Sequence, residues 1–420
     1  MKLTDIEKRM LDGESGEAAR MAISILVDIG EAIQAPEMVE VVHVHTDSGF
    51  YLGDAGLDFV EHLAGLQGNV AVPTSMNNTS FDLNRAISYG VPEDVFNKIK
   101  RIEAAHLKMG AVPTWSCAPY QDGIVPRFGS NVAWSESNAI AYVNSVIGAR
   151  TNRTGDLIDL CSAIAGRYPK FGLYLDENRQ AEILFNCGSL GHDILSDPAF
   201  YPILGYLAGH HAGNKVIALD GIPKTVSTDS LKGFGAAAAS SGSVALFHMV
   251  GVTPEAHTKE MCLGKSVSKN AIDVTPEMIQ TMEEKLWTAS GDQLDWIGFG
   301  CPHFSFSEFS ELANLVAGKK IHKEVRATVF TSRSIHEWIE QLGILAILNR
   351  AGIEVYTDGC LLLYPQHLQS SGIMMTNSAK AANYIYSQAG LKAAFGSIKD
   401  CVESAIEGKI IRRGSPWFPK

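Results

Sequence analysis

Seven cysteines are spread over the 420 residues, and three of them stand where a thiol can do chemistry. Cys117 closes Ala111-Val-Pro-Thr-Trp-Ser-Cys, Cys301 follows Asp295-Trp-Ile-Gly-Phe-Gly, and Cys360 ends a run that begins at Ile353 and passes through Thr357-Asp-Gly. Each run reads as a short apolar strand stopped beside Gly, Pro or Ser. A thiol at the carboxyl end of a strand in an open α/β sheet faces the crevice where loops converge. A cysteine taken singly is usually an inert, small core residue, whereas three at equivalent strand ends form a pattern. Their wide separation is unlike a structural zinc site, which shows local Cys-x₂₋₄-Cys pairs and four ligands. It fits a site with one coordination position left open, as in an iron–sulfur cluster, [2Fe-2S] or [4Fe-4S], whose non-cysteine-ligated iron is a Lewis acid. A zinc lyase and a disulfide with one spare thiol are the alternatives, and the second is weak for a cytosolic chain. Cys161 and Cys401 lie on helical patterns, and Cys187 and Cys262 are ambiguous.

The elements that must position these thiols alternate along the chain. After a helical pair (Thr4-Asp5 with Glu7, then Glu14 to Ile33), strands are predicted at 38–45, 70–72 and 111–117, with helices at 57–64, 92–109 and 133–149. Further strands are predicted at 171–175, 216–219, 244–249, 296–299, 325–330, 353–356 and 391–395. Helices are predicted at 235–242, 276–288, 305–317, 378–388 and from Ser397, whose Asp400 stands at capping-box spacing. Repeated strand-turn-helix units predict an α/β protein with mostly parallel sheets. At this length two or three packed subdomains are expected, because single cores stop growing at about 250–300 residues. A formal net charge of −11 argues against nucleic acid and anionic membrane surfaces. The absence of a signal-like start or of about 18 consecutive apolar residues predicts a soluble, cytoplasmic protein.

Two motifs carry blander readings. The run from Lys232 to Ser243 lacks the Gly-Lys-Ser/Thr ending of a phosphate loop, so tight helix packing is preferred. Adjacent His210 and His211 diverge on either helix or strand and make a poor metal pair.

Six blocks, Trp115-Ser-Cys-Ala-Pro-Tyr120, Ala133-Trp-Ser-Glu-Ser-Asn-Ala139, Asn144 to Arg153, Gly300-Cys-Pro-His-Phe304, Thr357-Asp-Gly-Cys360 and Thr376-Asn-Ser-Ala-Lys380, together closely resemble the catalytic large subunit of the aconitase X family. The resemblance runs in order over nearly the whole chain. It implies an aconitase-like fold and an iron–sulfur hydro-lyase, with cluster ligands at Cys117, Cys301 and Cys360. Bacterial members of that family dehydrate cis-3-hydroxy-L-proline to Δ1-pyrroline-2-carboxylate, and archaeal members dehydrate mevalonate 5-phosphate. The substrate is thus expected to be a small hydroxy carboxylate or hydroxy amino acid. A small swivelling domain, fused or separate, is thought to supply a serine base, and this chain reads as ending before it, so a separate small subunit is expected. The stretch Asp47 to Gly56 looks more like the hydroxyproline branch, although Pro73-Thr-Ser-Met-Asn77 departs from the family's Pro-Thr-Thr-Leu-Asn at two positions. A charged fraction of 19% is low for a hyperthermophile.

A carboxylate substrate needs a cationic clamp. Arg333 and Lys380, near predicted strand ends, are candidates; a helix-capping or surface arginine and a solvated lysine are the plainer readings. Ser48, Tyr51, Thr74 and Asn77 are candidate pocket donors, against ordinary turn formation. His303 is a candidate donor to cluster or substrate, against a satisfied core histidine. Glu136 and Arg153 are expected near the cluster loop or in surface pairs. The reading from another class is a non-catalytic iron-responsive binding protein, which the acidity and lack of a basic stripe disfavour as an RNA binder.

Overall fold

Short β-branched runs and capped amphipathic segments alternate through the chain, and they fold as layered α/β structure. The structure, a computed structural model, describes residues 1–264, 270–363 and 371–411. Two units are distinguished, residues 1–80 with 85–179, and residues 81–84 with 180–420.

In the first unit, β1 (Met38–Glu40), β2 (Val44–Thr46), β3 (Thr74–Met76), β4 (Ala133–Trp134) and β5 (Arg167–Pro169) make two sheets. β1 pairs antiparallel with β5, and β3-β2-β4 form a parallel sheet with β2 central. The helix Glu17–Ala32 buries Ala19, Ala22, Ile23 and Leu26 in a core shared with Leu160, Cys161 and Ile164 of the helix Ile158–Ala165.

The second unit carries β6 (Ile183–Asn186), β7 (Ile217–Asp220), β8 (Phe247–Met249), β9 (Ala271–Asp273), β10 (Trp296–Phe299), β11 (Arg326–Phe330), β12 (Glu354–Tyr356), β13 (Ile373–Thr376) and β14 (Lys392–Phe395). One sheet has the order β8-β7-β6-β9 and the other β12-β11-β10-β13-β14, and every pairing in both is parallel. From β10 the chain builds outward through β11 to β12, then returns to the other side of β10 with β13. The loops leaving β10 and β13 therefore diverge, and a crevice opens outside the carboxyl ends of these two strands.

Several predicted elements are corrected. Residues 38–45 are two strands, not one, and they join different sheets. The strand expected at 70–72 forms at Thr74–Met76, after Pro73, which has no donor for the ladder. Residues 111–117 form no ladder beyond one bridge from Val112 to Ser75; Pro113 lacks an N–H and Trp115 sits at φ +48°. Residues 171–175 hold a 3₁₀ turn, Gly172–Tyr174. The helix expected over 133–149 is β4, a helix Ser137–Tyr142 capped by Glu136, and a π turn Val143–Ile147.

The glycine-rich run does pack as expected. On the helix Phe200–Ala212, a Cβ at Gly205 or Gly209 would overlap the carbonyl oxygens of Phe234 and Ala238 on the helix Thr228–Gly242. His210 and His211 ride the first of these helices with rings 83° apart. Among the described residues no helix is long and apolar enough to cross a membrane.

Gly300 is the residue between β10 and the cysteine. It sits at φ +93°, and a Cβ there would overlap the Phe330 carbonyl oxygen and stand 2.8 Å from the Phe330 nitrogen. Gly300→Ala is therefore expected to destabilise the protein by at least about 2 kcal/mol. A urea midpoint within error of the parent would contradict that.

Candidate active site

The crevice beside β10 holds the first of the three thiols. A cavity of about 200 Å³ is lined by Gly300, Cys301, Pro302, Asn377, Ser378 and Lys232, among others. The Cys301–Pro302 peptide is cis. Ser378, the N-cap of the helix Ala379–Ala389, donates its hydroxyl to the Cys301 carbonyl, and Thr331 Oγ1 donates to the Phe304 carbonyl at 2.9 Å. Ser305 and Glu308 form a capping box at the start of the helix Phe306–Val316, which fixes the direction in which the loop leaves.

Lys232 is the cation inside this wall. Its side chain is 3% exposed, and Nζ reaches Glu308 Oε2 at 2.5 Å, the His303 carbonyl at 3.2 Å and Asp229 Oδ1 at 3.3 Å. Burial alone would lower its pKa; the two carboxylates more than offset this, and the net shift is upward, so the ammonium stays charged.

Cys360 ends a second loop of the same unit. Thr357 donates its backbone N–H to Asp82 Oδ2 at 3.2 Å, and a Cβ on Gly359 would stand 2.9 Å from the Phe81 carbonyl carbon, so the loop lies against the chain at 81–84. Arg333 forks onto Asp358 with bonds of 2.6 and 2.8 Å. Burial pushes the Asp358 carboxyl up, outweighing the pull of that guanidinium. Arg333 thus grips the residue two before Cys360. Lys380, half-buried, is the second residue of the helix Ala379–Ala389, whose amino end lines the Cys301 cavity. His303 is fully buried, and its Nε2 donates to the Gly359 carbonyl at 3.0 Å.

Cys117 lies in the first unit, on an extended loop in place of a strand. Asn138 Nδ2 donates to its carbonyl at 2.8 Å, and Tyr120, stacked on Tyr142, donates to Asn138 Oδ1 at 3.0 Å. Glu136 is the N-cap of the helix Ser137–Tyr142, accepting the Ala139 N–H at 2.7 Å, two residues before the Asn138 that holds the Cys117 carbonyl. Arg153 lies at the surface.

The loops after β2, β3 and β4 carry most of the other candidates. Ser48 Oγ lies 2.8 Å from His106 Nε2, and His106 Nδ1 donates to the Ile102 carbonyl at 2.9 Å. That second bond leaves Nε2 unprotonated, so Ser48 is the donor of the pair. Asn77 donates to Asp47 Oδ1, while Asp159 Oδ2 accepts from the Asp47 backbone at 2.6 Å and from Ser135 Oγ at 2.8 Å. Burial, with nearby Asp156, raises the Asp47 carboxyl well above its ordinary range, and burial lifts Asp159 to about 6. Thr74 begins β3, at the opposite end from Asn77, and bonds the Val72 carbonyl. Tyr51 is tied to Asp54 and Lys98 at 2.8 Å each. His106, Asp159 and Lys232 were not singled out from sequence as site groups, because nothing local marks their partners.

Desolvation also lowers His43 and His106 to about 4 and His45 to about 3, against an ordinary value of 6.5. A histidine depressed on folding leaves the unfolded chain binding more protons, so its contribution is present above pH 6.5 and is lost as pH falls towards 4. The raised Asp159 works oppositely between 3.8 and about 6. The raised Asp47, Asp358 and Glu308 act with Asp159, and against them each histidine is expected to remove up to about 1.4 kcal/mol per unit as pH falls from 6.5 towards 4. His45→Gln should flatten that slope; an unchanged slope would refute the assignment.

The seven cysteines divide by access. Cys117 and Cys301 are each 8% exposed and Cys360 more so, whereas Cys161, Cys187 and Cys401 are fully buried and Cys262 is 2% exposed. Burial pushes the sealed thiols up, Cys161 and Cys187 to about 12 and Cys262 to about 11, and Cys401 far above its usual range. The three thiols picked out from sequence belong to the three least buried of the seven residues. Comparison with known proteins agrees with the motif blocks that carry them. Residues 1–177, 181–284 and 294–407 match the aconitase X first, second and third domains in turn. The chain belongs to the aconitase X family. It is 38% identical over 411 residues to a cis-3-hydroxy-L-proline dehydratase of Pseudomonas aeruginosa, covering 97% of this chain and 70% of that one. It is 37% identical over 395 residues to the phosphomevalonate dehydratase large subunit of Methanothermobacter thermautotrophicus, covering 93% and 95%. The crystal structure of Thermococcus kodakaraensis aconitase X in its holo-form superposes with a TM-score of 0.86 at 30% identity, over 96% of this chain and all of that one. The α/β fold with mostly parallel sheets is that of aconitase X, and the chain is a hydro-lyase. An iron–sulfur cofactor is what this kinship suggests.

Proposed function

We propose that the chain dehydrates cis-3-hydroxy-L-proline, using an iron–sulfur cluster on Cys117, Cys301 and Cys360. The observation that carries the reading is the split among the cysteines: three stand on tethered loops and are the least buried of the seven, and four are packed away at 2% exposure or less. Among the described residues no three His, Cys, Asp or Glu side chains are grouped to hold a single metal ion. A sulfide-bridged cluster spreads its irons, so its thiolates do not have to converge on one point. Cys301 and Cys360 stand on loops of one sheet and Cys117 on a loop of the first unit, and thiols that form no disulfide among the described residues fit such a group in chemistry.

When bound, a cluster with an iron not ligated by cysteine supplies a Lewis acid for the departing hydroxyl. This chain's residues then bind and orient the substrate. Lys380, on a helix whose positive end lines the Cys301 cavity, is proposed to meet the substrate carboxylate; Arg333 acts through Asp358 on the Cys360 loop. Ser48, its proton committed to His106, offers oxygen lone pairs. The carboxylates of Asp47, Asp156, Asp159 and Glu136 act on one another electrostatically, a setting that suits the ammonium of a hydroxy amino acid better than a phosphate dianion. Asn77 holds Asp47. Tyr51 and Thr74 are proposed as outlying contacts. The base is proposed to be a serine on a small subunit or domain, consistent with a relative of matching length being named a large subunit.

The test is turnover by anaerobically reconstituted protein, with a small-subunit homologue added, on cis-3-hydroxy-L-proline and on mevalonate 5-phosphate. Pyrroline carboxylate formation from the first alone is expected. Turnover of the phosphate compound alone would transfer the reading to phosphomevalonate.

A further inference from the structure

The loops carrying Cys301 and Cys360 leave strands that are not neighbours. β11 lies between β10 and β12, which puts the two strands about 9.5 Å apart at ordinary sheet spacing, too far for a backbone bond between their ends. We infer that His303 is the positioning residue that sets the Cys301 and Cys360 thiols in register, by bridging from its own loop to the carbonyl next to Cys360. This deepens the proposed function and rests on the reading of both cysteines as cluster ligands.

The imidazole is shut off from solvent, so it is not placed to exchange protons with substrate. A carbonyl only accepts, so the 3.0 Å contact with Gly359 makes Nε2 the protonated nitrogen. Both ends of the bridge are themselves held. On the Cys301 side, the His303 carbonyl accepts from Lys232 at 3.2 Å, and the Phe304 N–H donates to Phe330 at 2.9 Å. On the Cys360 side, Asp358 is forked by Arg333 and Thr357 is bonded to Asp82. Two fixed anchors joined by one rigid ring define the separation of the thiol-bearing backbones. Groups that orient ligands in this way typically change metal affinity by about 10–100-fold when lost.

The bridge is tested in the full-length protein with His303→Phe, which keeps a ring and loses the donor, and His303→Gln, whose Nε2 reaches a similar position. Two readouts are needed. One is the lifetime of the visible cluster spectrum under a chelator after anaerobic reconstitution; the other is the alkylation rate of Cys301 and Cys360 by iodoacetamide in the apoprotein. With the circular dichroism of the parent retained, His303→Phe is expected to shorten the cluster lifetime at least about tenfold and to speed Cys360 alkylation several-fold, and His303→Gln to restore both in large part. Should His303→Phe not accumulate folded, His303→Asn, polar but too short to reach, takes its place. Parent-like lifetime and alkylation in the donor-less variant would overturn the inference, as would a Gln variant as impaired as Phe. If the parent itself takes up no iron and sulfide, the cluster reading fails, while the alkylation comparison still decides the bridge.

Discussion

Cys301→Ser is expected to lower dehydratase turnover by about a thousandfold or more, together with loss of bound iron and of the visible spectrum. Losing the Lewis acid that takes the leaving hydroxyl removes several kcal/mol of transition-state stabilisation, and about 4 kcal/mol is already a factor of a thousand. The hydroxyl of serine is a much poorer iron ligand than a thiolate at neutral pH, so it does not substitute. The comparison that gives the result its meaning is Cys401→Ala. That thiol is fully buried in the second unit's core with Val402 and Ala405, and its removal is expected to cost on the order of 1 kcal/mol of stability with iron content and turnover unchanged. Equal iron loss in both variants would mean that access does not distinguish ligand thiols from packing thiols.

The second large effect falls on folding. Lys232→Met is expected to destabilise the protein by about 3–5 kcal/mol, because it strands two carboxylates against a wall built around a cation. Glu308 and Asp229 are 14% and 22% exposed and cannot be fully rehydrated in place. The Glu308 carboxyl, raised by burial even with the lysine present, should then rise further. A carboxyl raised on folding stabilises at low pH, and that contribution is lost as pH climbs from its unfolded value through its folded one. The destabilisation should therefore be largest above neutrality and shrink in acid, and Glu308→Gln in the same chain should recover part of it. A loss under about 1 kcal/mol at pH 8 in urea unfolding would show that the pair is not a buried one in energetic terms.

The regular carboxyl-terminal part of the fold was legible because its signals are local. The strand Trp296–Phe299 forms with the predicted bounds, and the capping boxes at Thr4 with Glu7 and Ser397 with Asp400 both form. Other elements hid for physical reasons. β13 reads Ile-Met-Met-Thr, with two residues that have no strong strand preference, and the helix Phe200–Ala212 carries Pro202, Gly205 and Gly209, each a breaker by propensity. Here the glycines serve close helix contact, a tertiary requirement that overrides propensity.

The candidate site was legible to the same depth. Cysteines next to Gly and Pro at strand ends announce themselves, but the fact that β10 lies at the switch in strand order depends on pairings far apart in sequence. For the same reason the partners of the candidates were hidden. Ser48 meets His106 across 58 residues, and Lys232 meets Glu308 across 76. Arg333, read as a free clamp, has its fork committed to Asp358, 25 residues on.

A substrate-binding cluster in this chain is tested most directly by the Mössbauer spectrum of protein enriched in ⁵⁷Fe and kept anaerobic, recorded before and after adding cis-3-hydroxy-L-proline. Sulfide-bridged iron is expected in the parent, with a change confined to one iron site when the substrate is added. Absence of sulfide-bridged iron, or a cluster spectrum that the substrate leaves untouched, would contradict the cluster reading.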